Sequence, residues 1–215
     1  MSPDSVVEPP PPDIHALSPA PPALASTREA LHRLAEQVLS PVQADVNGDI
    51  HFRWTPGGFG TPRFGNDRQL RVEGAETVEV DGGSEVRREP IAGVDDAAAR
   101  WLGDLYGFAY GVLCELIADA PDAAPIRLWP EHFDIATDVD RATYGVSPGD
   151  EHHAEPYLYV GPWDPVEGEL WQATGFPGAE LTLSDLLAEP DQRGAALDFF
   201  RRRRAALTER TVSNA

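Results

Sequence analysis

The run DDAAARWLGDLYGFAYGVLCELIA, Asp95–Ala118, decides the fold. Trp101, Leu102, Leu105, Phe108, Ala109, Val112, Leu113, Leu116 and Ile117 recur at helical spacing and cover much of the circumference, which predicts a long, buried central helix. Asp96, Arg100, Asp104 and Glu115 interrupt the run, a cost that a bilayer-spanning segment would not carry. Gly103, Gly107 and Gly111 come every fourth residue. Each costs a helix about 1 kcal/mol, so they read as a flat groove where a sheet or helix backbone packs closely.

Toward the N-terminus, Asp49–Thr55, Gln69–Glu73, Thr77–Val80 and Glu85–Pro90 alternate as short strands, with Asp81-Gly82-Gly83 supplying a hairpin turn. Sequential strands without intervening helices predict an antiparallel sheet rather than a βαβ sheet. The glycine-rich stretch Thr55–Gly60, with Arg63 nearby, lacks the lysine of a P-loop and the Rossmann spacing, and reads as a mobile loop or a lid anchored by Phe59 and Phe64. Ser26 and Glu29 have capping-box spacing, and Leu31, Leu34, Val38 and Leu39 form a stripe, so a helix is expected over 27–39, ended by Pro41. Beyond the central helix, Gly168–Thr174 reads as a strand and Thr182–Ala188 as a short helix broken by Pro190. A final helix is capped by Asp191, runs through Leu207, and carries Arg201–Arg204 where they complement its C-terminal dipole. The fold expected is therefore α+β: an antiparallel sheet of five to seven strands packed against the long central helix, with flanking terminal helices.

The domain reading is a disordered, proline-rich leader over 1–24, a single α+β domain over 25–209 and a flexible tail over 210–215. The leader has neither the basic n-region nor the apolar h-region of a signal peptide. With 36 acidic against 17 basic residues the net charge is −19, and every basic side chain but histidine is arginine. That balance disfavours nucleic acid, whose binding neutralises phosphates, and no apolar run is long enough to cross a bilayer. Cys114, the only cysteine, sits among leucines and reads as a buried apolar residue, so neither a disulfide nor a multi-cysteine metal site is expected. A soluble, cytoplasmic protein follows as the expectation, with oligomeric state open.

Chemistry concentrates in Ala124–Trp163, which holds His132, His152 and His153, several carboxylates, and Tyr144, Tyr157 and Tyr159. If Glu131–Thr137 is a strand, Phe133 and Ile135 share one face while His132 and Asp134 share the other. Glu155–Gly161 alternates likewise, placing Glu155, Tyr157 and Tyr159 together. Pairing of the two strands across the Tyr144–Ala154 loop would bring His132, Asp134, Glu155 and Tyr157 beneath Asp150, His152 and His153.

Three functional readings fit this set. His132, Asp134 and Glu155 are donors for a divalent metal such as Zn, Mn or Fe, although their spacing matches no established zinc pattern. Alternatively, His132 or His153 is a general base oriented by Asp134 or Glu155, with Tyr157 or Tyr159 positioning a substrate oxygen. No serine lies in a nucleophile elbow. The third reading is a non-catalytic pocket or interaction module walled by Trp129, Phe133, Tyr157, Tyr159 and Trp163. Beside these stands the plain alternative that a His–Asp pair only satisfies itself inside the domain. The leading expectation is a small-molecule enzyme, in one form metal-assisted, using His132, Asp134, His153, Glu155 and Tyr157.

With LWPEHFD (Leu128–Asp134), SPGDEHHAEPYLYVGPW (Ser147–Trp163) and RWTPGGFGTP (Arg53–Pro62) taken together, the chain resembles an uncharacterised actinobacterial protein family over most of residues 27–207. It is also distantly similar to a bacterial domain family of unknown function with a Phe-Asp-x-Ala element before a tyrosine-rich strand. The resemblance implies a cytoplasmic α+β fold, draws attention to His132, Asp134 and Glu155, and brings no activity.

Overall fold

The computed structural model describes Pro10 and residues 12–213; the expected leader's residues 1–9 and 11, and residues 214–215 of the expected tail, lie outside the described residues. The fold is α+β, with two five-stranded antiparallel sheets, the central helix and helices toward both termini. The chain divides into two compact units. One gathers Ala20–Gly107 and Arg127–Phe133, and the other gathers Asp13–Pro19, Phe108–Ile126 and the chain from Asp134 onward.

In the first unit the N-terminal helix begins earlier and continues further than its sequence suggests. Helix α1 spans Leu24–Leu34, a π-helical turn follows over Ala35–Leu39, and α2 spans Ser40–Asn47. Ser26 is not a cap: its hydroxyl donates to Ala23 O at 3.2 Å from within α1. Pro41 does not end the helix either. It occupies the first turn of α2, where its missing N–H goes unused. The stop is Gly48, left-handed at φ +68°, whose N–H closes on Ala44 O.

The first sheet runs in sequence order through β1 (Arg53–Thr55), β2 (Gly58–Gly60), β3 (Gln69–Glu73), β4 (Glu76–Asp81) and β5 (Ser84–Pro90). Gly82 and Gly83, at φ +56° and +77°, make the two-residue turn between β4 and β5, where both centres must be left-handed. The glycine-rich stretch expected as a mobile loop is instead the buried strand β2, paired on both sides. Two glycines flanking one phenylalanine gave too little alternation to register as a strand. Phe59 anchors it, fully buried, edge-on to the Tyr106 and Phe133 rings.

Helix α3, Asp96–Leu116, is capped by Asp95, whose carboxylate accepts from Ala98 N at 2.9 Å. The expected groove is realised at Gly103. A Cβ there would lie 2.7 Å from the carbonyl carbon of Gly57 and 2.8 Å from Gly58 N, so only glycine lets this helix meet the β1–β2 turn. Trp54 Nε1 donates to Gly103 O at the same contact, at 3.3 Å.

The second sheet has the order β10-β9-β8-β7-β6, with β6 at Arg127–Trp129, β7 at Asp134–Val139, β8 at Ala142–Ser147, β9 at Tyr157–Pro162 and β10 at Ala179–Thr182. The strand expected over Gly168–Thr174 is absent; those residues make bends and turns, and the strand lies further on, at β10. Ile135, Val146 and Leu158 meet in register on the inner face, as do Thr137, Tyr144 and Val160. Helix α4, Leu183–Leu187, starts on Thr182, whose hydroxyl accepts from Asp185 N. Helix α5, Gln192–Ser213, sends Phe200 against the Tyr144 ring at 5.8 Å.

Arg201–Arg204 lie mid-helix in α5 rather than at its last turns, and they serve other elements. Arg204 donates to Leu116 O, the last carbonyl of α3, and pairs with Asp119 and Asp140. Arg201 pairs with Glu115. Within the proline-rich stretch, Leu17 is buried, and its backbone exchanges hydrogen bonds with the Gln192 amide at 2.7 and 3.2 Å. Reciprocal amide bonds and one buried leucine hold a segment whose prolines rule out regular structure.

Candidate functional site

The strand expected from Glu131 onward starts only at Asp134, and His132 lies exposed in the preceding turn. Phe133 explains the break. It is buried with φ +53°, a conformation incompatible with a strand, and its carbonyl accepts from the Tyr106 hydroxyl at 2.6 Å. Its ring stacks on His32 at 5.1 Å, while His32 Nε2 lies 2.7 Å from Pro130 O. Residues 130–133 are thus a turn after β6, locked by the phenylalanine within the first unit. With His132 in this turn and Phe133 at positive φ, the shared strand face expected for His132 and Asp134 does not form.

The second unit nevertheless assembles a polar, aromatic constellation on the outer face of its sheet. Ala136, Gly145, Tyr159 and Glu180 stand in one row across β7, β8, β9 and β10. Ser147, Tyr157 and Thr182 stand in the next, and Asp134 precedes Ala136 on the same face. Gly145 makes room: a Cβ there would fall 2.6 Å from the Tyr159 ring, which lies across it. So placed, the Tyr159 hydroxyl donates to Asp134 Oδ2. Asp134 is buried, at 5% exposure. Burial, then the Asp134 carboxylate, push the Tyr159 phenol well above its ordinary range, and it keeps its proton.

Tyr157 is held beside it. Burial raises its phenol, with Asp150, Asp134 and Glu180 adding to the effect and a hydrogen bond with Ser147 opposing it. His153 reaches the same place from the loop before β9. Asp150 Oδ1 accepts from both His152 N and His153 N at 2.7 Å, and Asp150 N closes on His153 O. This turn lays the His153 imidazole on the Tyr157 ring at 4.2 Å, with Nδ1 3.7 Å from Glu180 Oε2. Glu180 Oε2 is buried and makes no hydrogen bond, leaving that oxygen able to accept one. Phe176, from the segment between β9 and β10, packs on both tyrosines.

Of the five residues expected from sequence, Asp134, His153 and Tyr157 come together here. Glu155 is engaged elsewhere, its carboxylate accepting from Ser184 N at 2.5 Å in the first turn of α4. Among the described residues no group of three or more His, Cys, Asp or Glu side chains could hold a metal ion, so the expected His132, Asp134 and Glu155 ligand set is not assembled. Sequence reasoning gave no place to Glu180 or Phe176, because it put a strand at Gly168–Thr174 and left β10 unread. The remaining signal was the short Ala179–Thr182 run ahead of the Thr182 cap. Compared with protein-family models, with curated proteins and with solved structures, the chain matches none.

Proposed function

We propose that the chain is a cytoplasmic small-molecule enzyme working by proton transfer on the outer face of the second sheet. His153 is the base, facing Glu180, and the protonated phenol of Tyr157 presents a hydrogen bond to a substrate oxygen beside the Tyr159 ring. Asp134 fixes the Tyr159 ring, and Phe176 shields the tyrosines from bulk water. The observation that carries the reading is the convergence of His153, Tyr157, Tyr159, Asp134 and Glu180 from three strands and one shaped loop. Phenols pushed up by burial beside a histidine, the buried Asp134 and the half-buried Glu180 are the kind of perturbed cluster that functional sites carry.

A second reading, ligand binding without turnover, is favoured by one feature. The Tyr159 proton is already committed to Asp134, and the Tyr157 hydroxyl is hydrogen-bonded with Ser147, which leaves His153 as the main group to act. A panel of small polar substrates divides the two. Under the catalytic reading His153→Ala lowers turnover by roughly 10²–10⁴-fold, the usual worth of a general base, while Glu155→Gln leaves it within a few-fold. Saturable binding with no turnover of any panel member, or equal losses in both variants, contradicts the catalytic form.

A further inference from the structure

A second histidine–carboxylate pair, His51 and Asp49, lies in the first unit. Phe52 and Leu128 exchange backbone hydrogen bonds at 2.7 and 2.9 Å, joining the residue before β1 to the middle of β6. In an antiparallel pair the flanking residues then share one face: His51 opposite Trp129, and Arg53 opposite Arg127. The rings of His51 and Trp129 are 6.3 Å apart, and the Arg127 guanidinium sits 5.7 Å over the Trp129 ring. Asp49 Oδ2 lies 2.7 Å from His51 Nδ1. Asp49 is itself fixed, accepting from Ile50 N at 2.6 Å and His51 N at 3.2 Å.

This is a locally cationic spot on a chain of net charge −19. Arg127 is held loosely: its nearest carboxylate oxygen, on Asp49, is 3.8 Å away, beyond hydrogen-bonding distance, and its buried Nε makes no hydrogen bond. Elsewhere arginines are tightly paired, as Arg88 is with Glu73, Glu76 and Glu85 at 2.7 to 2.9 Å. Nδ1 of His51 is buried facing Asp49 Oδ2 without an aligned hydrogen bond, so the nitrogen on the other side of the ring, Nε2, is the one to meet a ligand. Trp129 supplies a flat apolar wall.

We infer that the face carrying His51, Arg53, Arg127 and Trp129 binds a small oxyanion, the carboxylate or phosphate group of a small molecule, with Asp49 orienting the imidazole. The guanidinium of Arg127 supplies planar N–H donors matched to two oxygens, and Nε2 of His51 supplies a third contact. Burial first, and the charges of Arg127 and Arg53 next, hold the His51 imidazole below its ordinary value against the pull of Asp49. A bound anion reverses part of that balance, so binding takes up a proton and weakens as pH rises.

The test follows the ring signals of His51 by NMR in the full chain. Inorganic phosphate and acetate are titrated separately at pH 6 and pH 8, with sodium chloride matched for ionic strength. A saturable displacement by either oxyanion, at least several-fold tighter at the lower pH for acetate and weakened at least tenfold in Arg127→Gln, supports the site. Response to one ion alone assigns the preferred group. Arg127→Lys keeps the charge without the planar fork and serves if the glutamine variant does not fold; it is expected to retain part of the affinity. Signals unmoved by both oxyanions, moved equally by chloride, or indifferent to both Arg127 substitutions overturn the inference.

Discussion

Tyr159, Gly145 and Asp134 show how much of the site rests on one missing methyl. Tyr159 reaches Asp134 only because residue 145 has no side chain, and the ring fills that space. Gly145→Ala therefore displaces the ring. The expected cost is about 1–3 kcal/mol for overpacking, with further loss from parting a buried carboxylate from its donor. A thermal melt of the variant measures the first and the shift of the Tyr159 ring signals the second; a melt unchanged from the parent rejects the contact. Titration supplies a second check. The Tyr159 phenol is raised in the folded chain, so its contribution to stability is complete below its unfolded value near 10 and is lost as pH climbs through the higher folded value. Denaturation midpoints from pH 8 to 11.5 are expected to fall on the alkaline side, and Tyr159→Phe is expected to flatten that limb.

At the scale of elements, α3 meeting β1 and β2 gives the clearest case of local preference yielding to packing. Alanine normally stabilises a helix by about 1 kcal/mol over glycine. At Gly103 the added carbon would stand 2.7 Å from backbone that cannot step aside. Gly103→Ala should accordingly destabilise, by about 1–3 kcal/mol, against the sign that helix propensity predicts. Urea denaturation decides it, and a more stable variant would place the helix elsewhere. The close approach was legible in the four-residue glycine spacing of the helix, and the β4–β5 hairpin in its paired glycines. The phenylalanine conformation that breaks Glu131–Thr137 was not, because alternation alone cannot register a residue forced to positive φ by its partners Tyr106, His32 and Phe59. Pro41 misled for a related reason: the same ring that ends one helix is tolerated in the first turn of the next.

Across the whole molecule, composition fixed the class and tertiary partners fixed the chemistry. Alternation and periodicity were enough for an α+β chain with a buried central helix, and among the described residues no helix is long and apolar enough to cross a membrane. They could not count two sheets, since β2 and β10 are three and four residues long. The candidate site was legible only as a stretch of chain rich in histidine, carboxylate and tyrosine. Asp134, His153 and Tyr157 were picked out by residue type, whereas Glu155 proved to be a cap and Glu180 came from a strand unseen in the pattern. The central claim is that small molecules are recognised on the outer face of the second sheet. Its most direct test is a fragment and metabolite screen by NMR with assigned aromatic signals. The account predicts ligands that shift His153, Tyr157 and Tyr159 together and lose affinity at least tenfold in a His153→Ala, Tyr157→Phe double variant. Ligands that bind while leaving those three rings unmoved, with affinity the same in the double variant, would contradict it.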